Sequence, residues 1–157
     1  MAIEYRRAAE TNARQLAALR WDFKNSEERQ ELPDGVSLSY FLNACEVFLR
    51  QGIVNENWIH WIAEEAGQVI GMASLQVIEE IPEPEHLRNR YGCVTNVYTK
   101  PAWRRQGVGT RLVTLARESA LQQGIEYLTL WTTSAARDFY ERCGFVAGVE
   151  EMLWERK

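Results

Sequence analysis

The segment from Val97 to Thr110 limits what this chain can fold into more than any other stretch. A strand-like run ends at Pro101, a basic turn follows, and an apolar helical stripe begins inside that turn. The stripe is Val108, Leu112, Leu115, Ala116, Ser119 and Ala120, and Gly124 stands where a C′ glycine would stop the helix. A helix start carries unpaired N–H groups and the positive end of the peptide dipoles, so it attracts anions. Gly107 and Gly109 lack Cβ atoms, which lets backbone press against a phosphate, and Arg104 and Arg105 add charged donors. A ligand carrying a pyrophosphate fits this pattern.

Two familiar phosphate loops do not. A P-loop places Lys and then Ser or Thr after its second glycine, whereas Thr110 and Arg111 follow Gly109. A dinucleotide fingerprint needs Gly or Ala where Leu112 stands. The bland alternative is a plain strand-to-helix connection that happens to use glycines.

The rest of the chain reads as one α/β domain over residues 1–157. Ile3 to Arg6 alternates like a strand. Thr11 or Asn12 caps a first helix through Leu16, Leu19 and Phe23, and Ser37 or Ser39 caps a second through Phe41, Leu42, Cys45, Phe48 and Leu49. A loop over 25–35, with a turn at Pro33-Asp34-Gly35, joins them. Trp58–Ala63 and Val69–Ile78 form a hairpin turning at Gly67, and Cys93–Thr99 follows a charged loop over 79–90. Tyr127–Trp131 is a further strand, Ala136, Phe139, Tyr140 and Cys143 line a short helix stopped by Gly144, and Val146–Trp154 offers a last strand. The order β-α-α-β-β-β-α-β-α-β implies a mixed sheet.

Composition excludes more than it indicates. The net charge is −4 and the pI about 5.3, which argues against a surface that tracks nucleic-acid phosphates. No apolar run reaches the ~20 residues of a membrane span, and no signal-peptide core precedes Glu10. The odd set Cys45, Cys93 and Cys143, without a C-x-x-C, suits free thiols in a reducing cytoplasm. With His60 and His86 as the two imidazoles and no H-E-x-x-H, no metal site is expected.

Arg104-x-x-Gly107-x-Gly109 resembles the Q/R-x-x-G-x-G/A turn of the GNAT (Gcn5-related N-acetyltransferase) superfamily. The match runs upstream to Val97 and Pro101. It runs downstream to Tyr140-Glu141-Arg142-Cys143-Gly144-Phe145, which is similar to the family's Y-x-x-x-G-F segment. The resemblance implies a central sheet of six to seven strands, splayed between the fourth and fifth, flanked by about four helices. It implies that acetyl-CoA lies in the splay, its pantetheine arm on the backbone of Val97 and Thr99. The pyrophosphate would sit on the turn formed by Arg104, Arg105, Gln106, Gly107, Val108, Gly109 and Thr110.

Acyl transfer to an amine needs a deprotonated nucleophile, a polarised carbonyl and a stabilised leaving thiolate. The resemblance gives the last task to Tyr140; from periodicity alone Tyr140 is a core tyrosine with a backbone partner. Glu79 and Glu80, at the end of the third strand, are the candidate bases, each also readable as a solvated surface charge. Cys143 reads as a buried, inert thiol. Trp58, Trp61 and Trp131 read as sheet packing, Trp21 and Phe23 as acceptor-pocket walls, and Trp103 as a cover on the turn. Thr133 and Ser134 stand where the family has an asparagine, and a hydroxyl there can cap the last helix. The expected partners are acetyl-CoA and an amine acceptor, with a homodimer formed through the last strand. The alternatives are a catalytically weak CoA-binding module on the same fold and a nucleotide-dependent enzyme with an atypical phosphate loop.

Overall fold

The computed structural model describes residues 2–27, 35–125 and 127–148. Strand β1 (Glu4–Arg7) leads through a 3-10 turn into α1 (Ala13–Glu27), and α2 (Leu38–Val54) follows. Then come β2 (Trp58–Glu65), β3 (Gln68–Glu79), β4 (Arg90–Thr99), α3 (Val108–Gln122), β5 (Leu128–Thr129) and α4 (Arg137–Arg142). Among the described residues the sheet has five strands, in the order β1-β2-β3-β4-β5, rather than six to seven. The first four pair antiparallel, and β5 runs parallel to β4. Val146 to Gly148 are not in a strand, and the rest of the expected last strand, residues 149–154, lies outside the described residues, as do Pro33 and Asp34.

The helices form from the signals that the sequence carries. Ser37 caps α2, its Oγ accepting from Tyr40 N–H at 3.2 Å. Asn12 is not the cap of α1 but ends the 3-10 turn before it, where its Oδ1 accepts from Ala9 N–H at 3.0 Å and from Arg6 Nη1 at 3.1 Å. The β2–β3 turn needs left-handed backbone twice, at Ala66 (φ 51°) and Gly67 (φ 78°), which is the type I′ requirement of a two-residue hairpin. The charged loop is shorter than its composition suggests. Strands β3 and β4 continue to Glu79 and Arg90, Glu80 N–H donates to Asn89 O at 2.8 Å, and Glu83 and His86 form a small bridge.

Two layers cover the sheet. On one face Ala13, Leu16 and Leu19 of α1 and Leu49 of α2 pack on Ile62, Met72 and Tyr98. On the other, Val108 and Leu112 of α3 meet Ala63, Ile70 and Ala73, while Ala120 and Ile125 meet Ile59, Leu75 and Val94. His60 sits within the first face, 2% exposed, its Nδ1 2.7 Å from Ser74 Oγ and its Nε2 without a partner. Burial, with a smaller push from Arg7, holds its pKa down to about 4 from the usual 6.5.

Two stability predictions result. A Cβ at Gly92, beside the start of β5, would overlap Leu128 Cδ2 and come 2.7 Å from Leu75 Cδ1. Gly92→Ala should therefore destabilise the fold by about 1–3 kcal/mol in urea unfolding. The second concerns His60, which is neutral when folded but takes up a proton near pH 6.5 when unfolded. The unfolded state binds more protons between those pKa values, so the stability that neutral His60 supplies is intact above pH 6.5 and lost by about pH 4. Wild type should lose about 3 kcal/mol more than His60→Gln across that window.

Candidate active site

Strand β4 changes direction of hydrogen bonding partway along. At its start Gly92 N–H donates to Tyr127 O at 3.1 Å, on the β5 side. Just past its end Lys100 N–H donates to Ile70 O at 2.9 Å, on the β3 side. These residues are eight positions apart, so strict alternation would aim both N–H groups the same way. The reversal comes from a bulge. Met72 pairs with Tyr98 and Ser74 with Thr95, leaving Asn96 and Val97 opposite the single residue Ala73. Asn96 takes a left-handed conformation there, φ 54°. Counting back from Lys100, the N–H groups of Thr99 and Val97 point away from β3.

They point into a gap. The β4–β5 ladder consists of Gly92↔Leu128 and Cys93↔Thr129, whereas β4 runs on to Thr99. Six residues of β4 thus extend past the last residue paired with β5.

The basic turn closes the end of this gap. A 3-10 turn, Pro101–Trp103, precedes Arg104 to Gly107, and α3 starts at Val108. Arg105 (φ 60°) and Gly107 (φ 81°) are both left-handed. Arg111 N–H reaches Gly107 O at 3.0 Å, which leaves the amides of Val108, Gly109 and Thr110 without an intrahelical carbonyl, at the positive end of a 15-residue helix. The exposed Arg104 donates from Nε to Thr99 O at 3.0 Å and lies 5.6 Å from the Tyr98 ring, so it fixes the end of β4. Gln106 Nε2 donates to Ala102 O at 3.1 Å. Exposed Arg105 lies within the turn.

Gly109 faces α4 and β4 at ordinary contact distance. A Cβ there would stand 3.4 Å from Phe139 of α4 and 3.7 Å from Thr99 Oγ1. Helix α4 is further tied to α3 by Arg117 Nη1 donating to Cys143 O at 2.7 Å. Thr133 makes no side-chain cap at the 3-10 turn Ser134–Ala136 that precedes α4, so the expected hydroxyl cap is not formed.

Half-buried Tyr140 is wedged edge-on between Phe139 (4.9 Å) and Phe145 (6.0 Å). Burial, and secondarily Cys143, push its hydroxyl above the usual phenol range, so it is protonated at neutral pH. Burial likewise pushes the Cys143 thiol up. Tyr140 and Glu80 line a common cavity of about 580 Å³ beside β5, together with Tyr91, Tyr127, Trp131 and Arg137. Gly148, where the described chain ends, is also on its wall.

The structure does not bring Glu79 to this site. It pairs with Arg90, seven positions down β4 from Val97, roughly 23 Å away at about 3.3 Å per residue. The hairpin register, which the sequence does not print, decides this. Trp131 is not sheet packing, being 71% exposed, whereas Trp58 and Trp61 are partly buried. Trp103 turns its indole to Glu65 Oε2 (2.9 Å), on the β2–β3 hairpin. Trp21 lines a shallow cleft with Tyr98 and Lys100, while Phe23 stacks on Tyr98 at 5.4 Å. Sequence reasoning missed Arg20 and Ser74 altogether. Neither belongs to a motif, and both meet Asn96 only in the fold.

Residues 14–145 match the model of the acetyltransferase (GNAT) family. Over 107 residues, covering 66% of this chain and 69% of the relative, the chain is 31% identical to "uncharacterized N-acetyltransferase YhfO" of Bacillus subtilis (strain 168). It is 28% identical over 120 residues to a glucosamine 6-phosphate N-acetyltransferase of Trypanosoma brucei brucei, covering 75% of this chain and 74% of that one. The fold superposes at TM-score 0.84 on a predicted acetyltransferase of Clostridium acetobutylicum solved with acetyl-CoA, at 23% identity, covering 98% of this chain and 96% of that one. With the opened β4–β5 edge and the glycine turn at the start of α3, the matches establish that the chain belongs to the GNAT acetyltransferase family.

Proposed function

We propose that this chain moves the acetyl group of acetyl-CoA to a primary amine of a small molecule or peptide, by direct attack in a ternary complex. The observation that carries the reading is the reversal in β4, which turns the amides of Val97 and Thr99 away from β3, next to a turn whose helix-start amides lack intrahelical carbonyls and would suit a pyrophosphate. In this reading the amides from Arg105 to Thr110 and the Arg105 guanidinium hold the diphosphate. Arg104 adds charge while fixing Thr99. The pantetheine arm pairs with Val97 and Thr99, and Val97 N–H polarises the thioester carbonyl.

The amine nitrogen attacks the carbonyl carbon, the C–S bond breaks, and Tyr140 gives its proton to the departing thiolate. The raised pKa of Tyr140 keeps that proton available at neutral pH. The proton lost by the amine leaves through water; Glu80, the candidate base, is reached only along the Tyr140 cavity, since its N–H bonds Asn89 and it lies farther down β4 from Val97 than Glu79 does. A glutamate on that wall favours a cationic acceptor.

A screen of amines read by free-thiol release from acetyl-CoA tests the activity. With an accepted amine, Tyr140→Phe should lower kcat at least a hundredfold while CoA still raises Tm. No thiol release with any amine, alongside a normal CoA shift, would support the weak CoA-binding module. A shift with ATP or NAD but none with CoA would support the nucleotide enzyme instead.

The turn has its own test. Gly109→Ala meets ordinary contact distances and replaces glycine inside a helix, so Tm should not fall. Its Cβ stands where backbone would approach the diphosphate, so the Kd for CoA in calorimetry should rise at least tenfold. An unchanged Kd would assign Gly109 to packing against Phe139 alone.

A further inference from the structure

Asn96 is the left-handed residue of the β4 bulge, and its side chain is held from two directions. Arg20 Nη1, from α1, donates to its Oδ1 at 3.1 Å. Its Nδ2 faces Met72 Sδ at 3.3 Å and Ser74 Oγ at 3.5 Å, both on β3. Ser74 is 1% exposed and is backed in turn by His60 Nδ1 at 2.7 Å. A polar line therefore runs Arg20–Asn96–Ser74–His60 between α1 and the sheet, ending at the bulge.

A bulge in an otherwise regular antiparallel pair has competitors. Slipping it by one residue restores alternation at Asn96 and turns the Val97 amide back to β3. Asparagine tolerates positive φ, but tolerance does not choose the position. The two side-chain partners do: Arg20 and Ser74 meet the amide with Asn96 in the unpaired place.

We infer that Arg20 and Ser74 are positioning residues for acetyl transfer: by clamping the Asn96 amide they hold the adjoining Val97 N–H on the thioester carbonyl. The inference rests on the acetyl-CoA reading above. It gives α1 a place in the reaction that no motif records. Neither residue touches acetyl-CoA in this account; both act through Asn96.

The test uses the carbonyl itself, so it needs no acceptor. The infrared stretch of 13C-labelled acetyl-CoA is recorded free and bound to wild type, Arg20→Met, Arg20→Lys, Ser74→Ala and Asn96→Gly. A held Val97 N–H lowers the stretching frequency in wild type. Arg20→Met and Ser74→Ala should lose at least half of that shift and Arg20→Lys should recover part of it, with Kd for CoA changed less than twofold. Asn96→Gly keeps positive φ accessible without the amide, and it too should lose the shift. In turnover with an accepted amine, the Arg20 and Ser74 variants should lose about tenfold in kcat, with KM for acetyl-CoA nearly unchanged. Wild-type shifts in Arg20→Met and Asn96→Gly, even with a lowered Tm, would overturn the positioning role. Failure of wild type to bind CoA would instead overturn the acetyl-CoA reading, and this inference with it.

Discussion

One extra residue in β4 governs the geometry of the site. A regular strand between β3 and β5 would spend its amides alternately on the two neighbours. Here the alternation fails between Thr95 and Tyr98, so the two halves of β4 face opposite ways at equal parity. The lower half closes the sheet through Gly92 and Cys93. The upper half turns Val97 and Thr99 to a side where the β5 ladder has already ended. An unpaired amide is costly when buried, so such an edge is stable only if water or a ligand satisfies it. The gap is thus a demand created by backbone parity.

The bulge also explains why polar side chains lie under α1. Ser74 and His60 are almost fully buried on a face otherwise packed by Leu16, Ile62 and Met72. Apolar residues of similar volume at these places would avoid the penalty for burying polar atoms, and His60 still leaves Nε2 unsatisfied. The fold keeps a partial network where a dry core would be simpler. Such a cost is understandable where the network fixes the place of the bulge.

Much of this architecture was legible in the sequence. The start of α3 is written in Gly107 and its stripe, the cap of α2 in Ser37, and the end of the last helix in Gly144. These are local signals, each set by one residue's φ or one side-chain oxygen. What depended on register was not legible. Glu79 looked close to a substrate because it ends β3, and pairing with Arg90 puts it at the far end of β4. Trp131 looked like sheet packing because it ends a strand-like run, yet β5 spans only Leu128–Thr129 and that residue is 71% exposed. Arg20 lies 76 positions from Asn96, a contact that no periodicity announces.

The two motifs of the chain, the glycine turn and the Tyr140–Phe145 segment, are one mechanical unit. Arg117, two helical turns past the start of α3, holds the Cys143 carbonyl at the end of α4. Gly144 follows at φ 89°, and a Cβ there would press on Arg117 at 3.2 Å, so this glycine serves both the helix stop and the tie. At the other end of α4, Phe139 lies against Gly109. Short helix α4, six residues long, could not hold its place by its own stability; its position is dictated by α3. A change in the turn that shifts the start of α3 therefore carries Tyr140 with it. The proposed diphosphate turn and the proposed acid, more than 30 residues apart, are thus both positioned by α3, the turn at its start and Tyr140 through the α4 contacts along it.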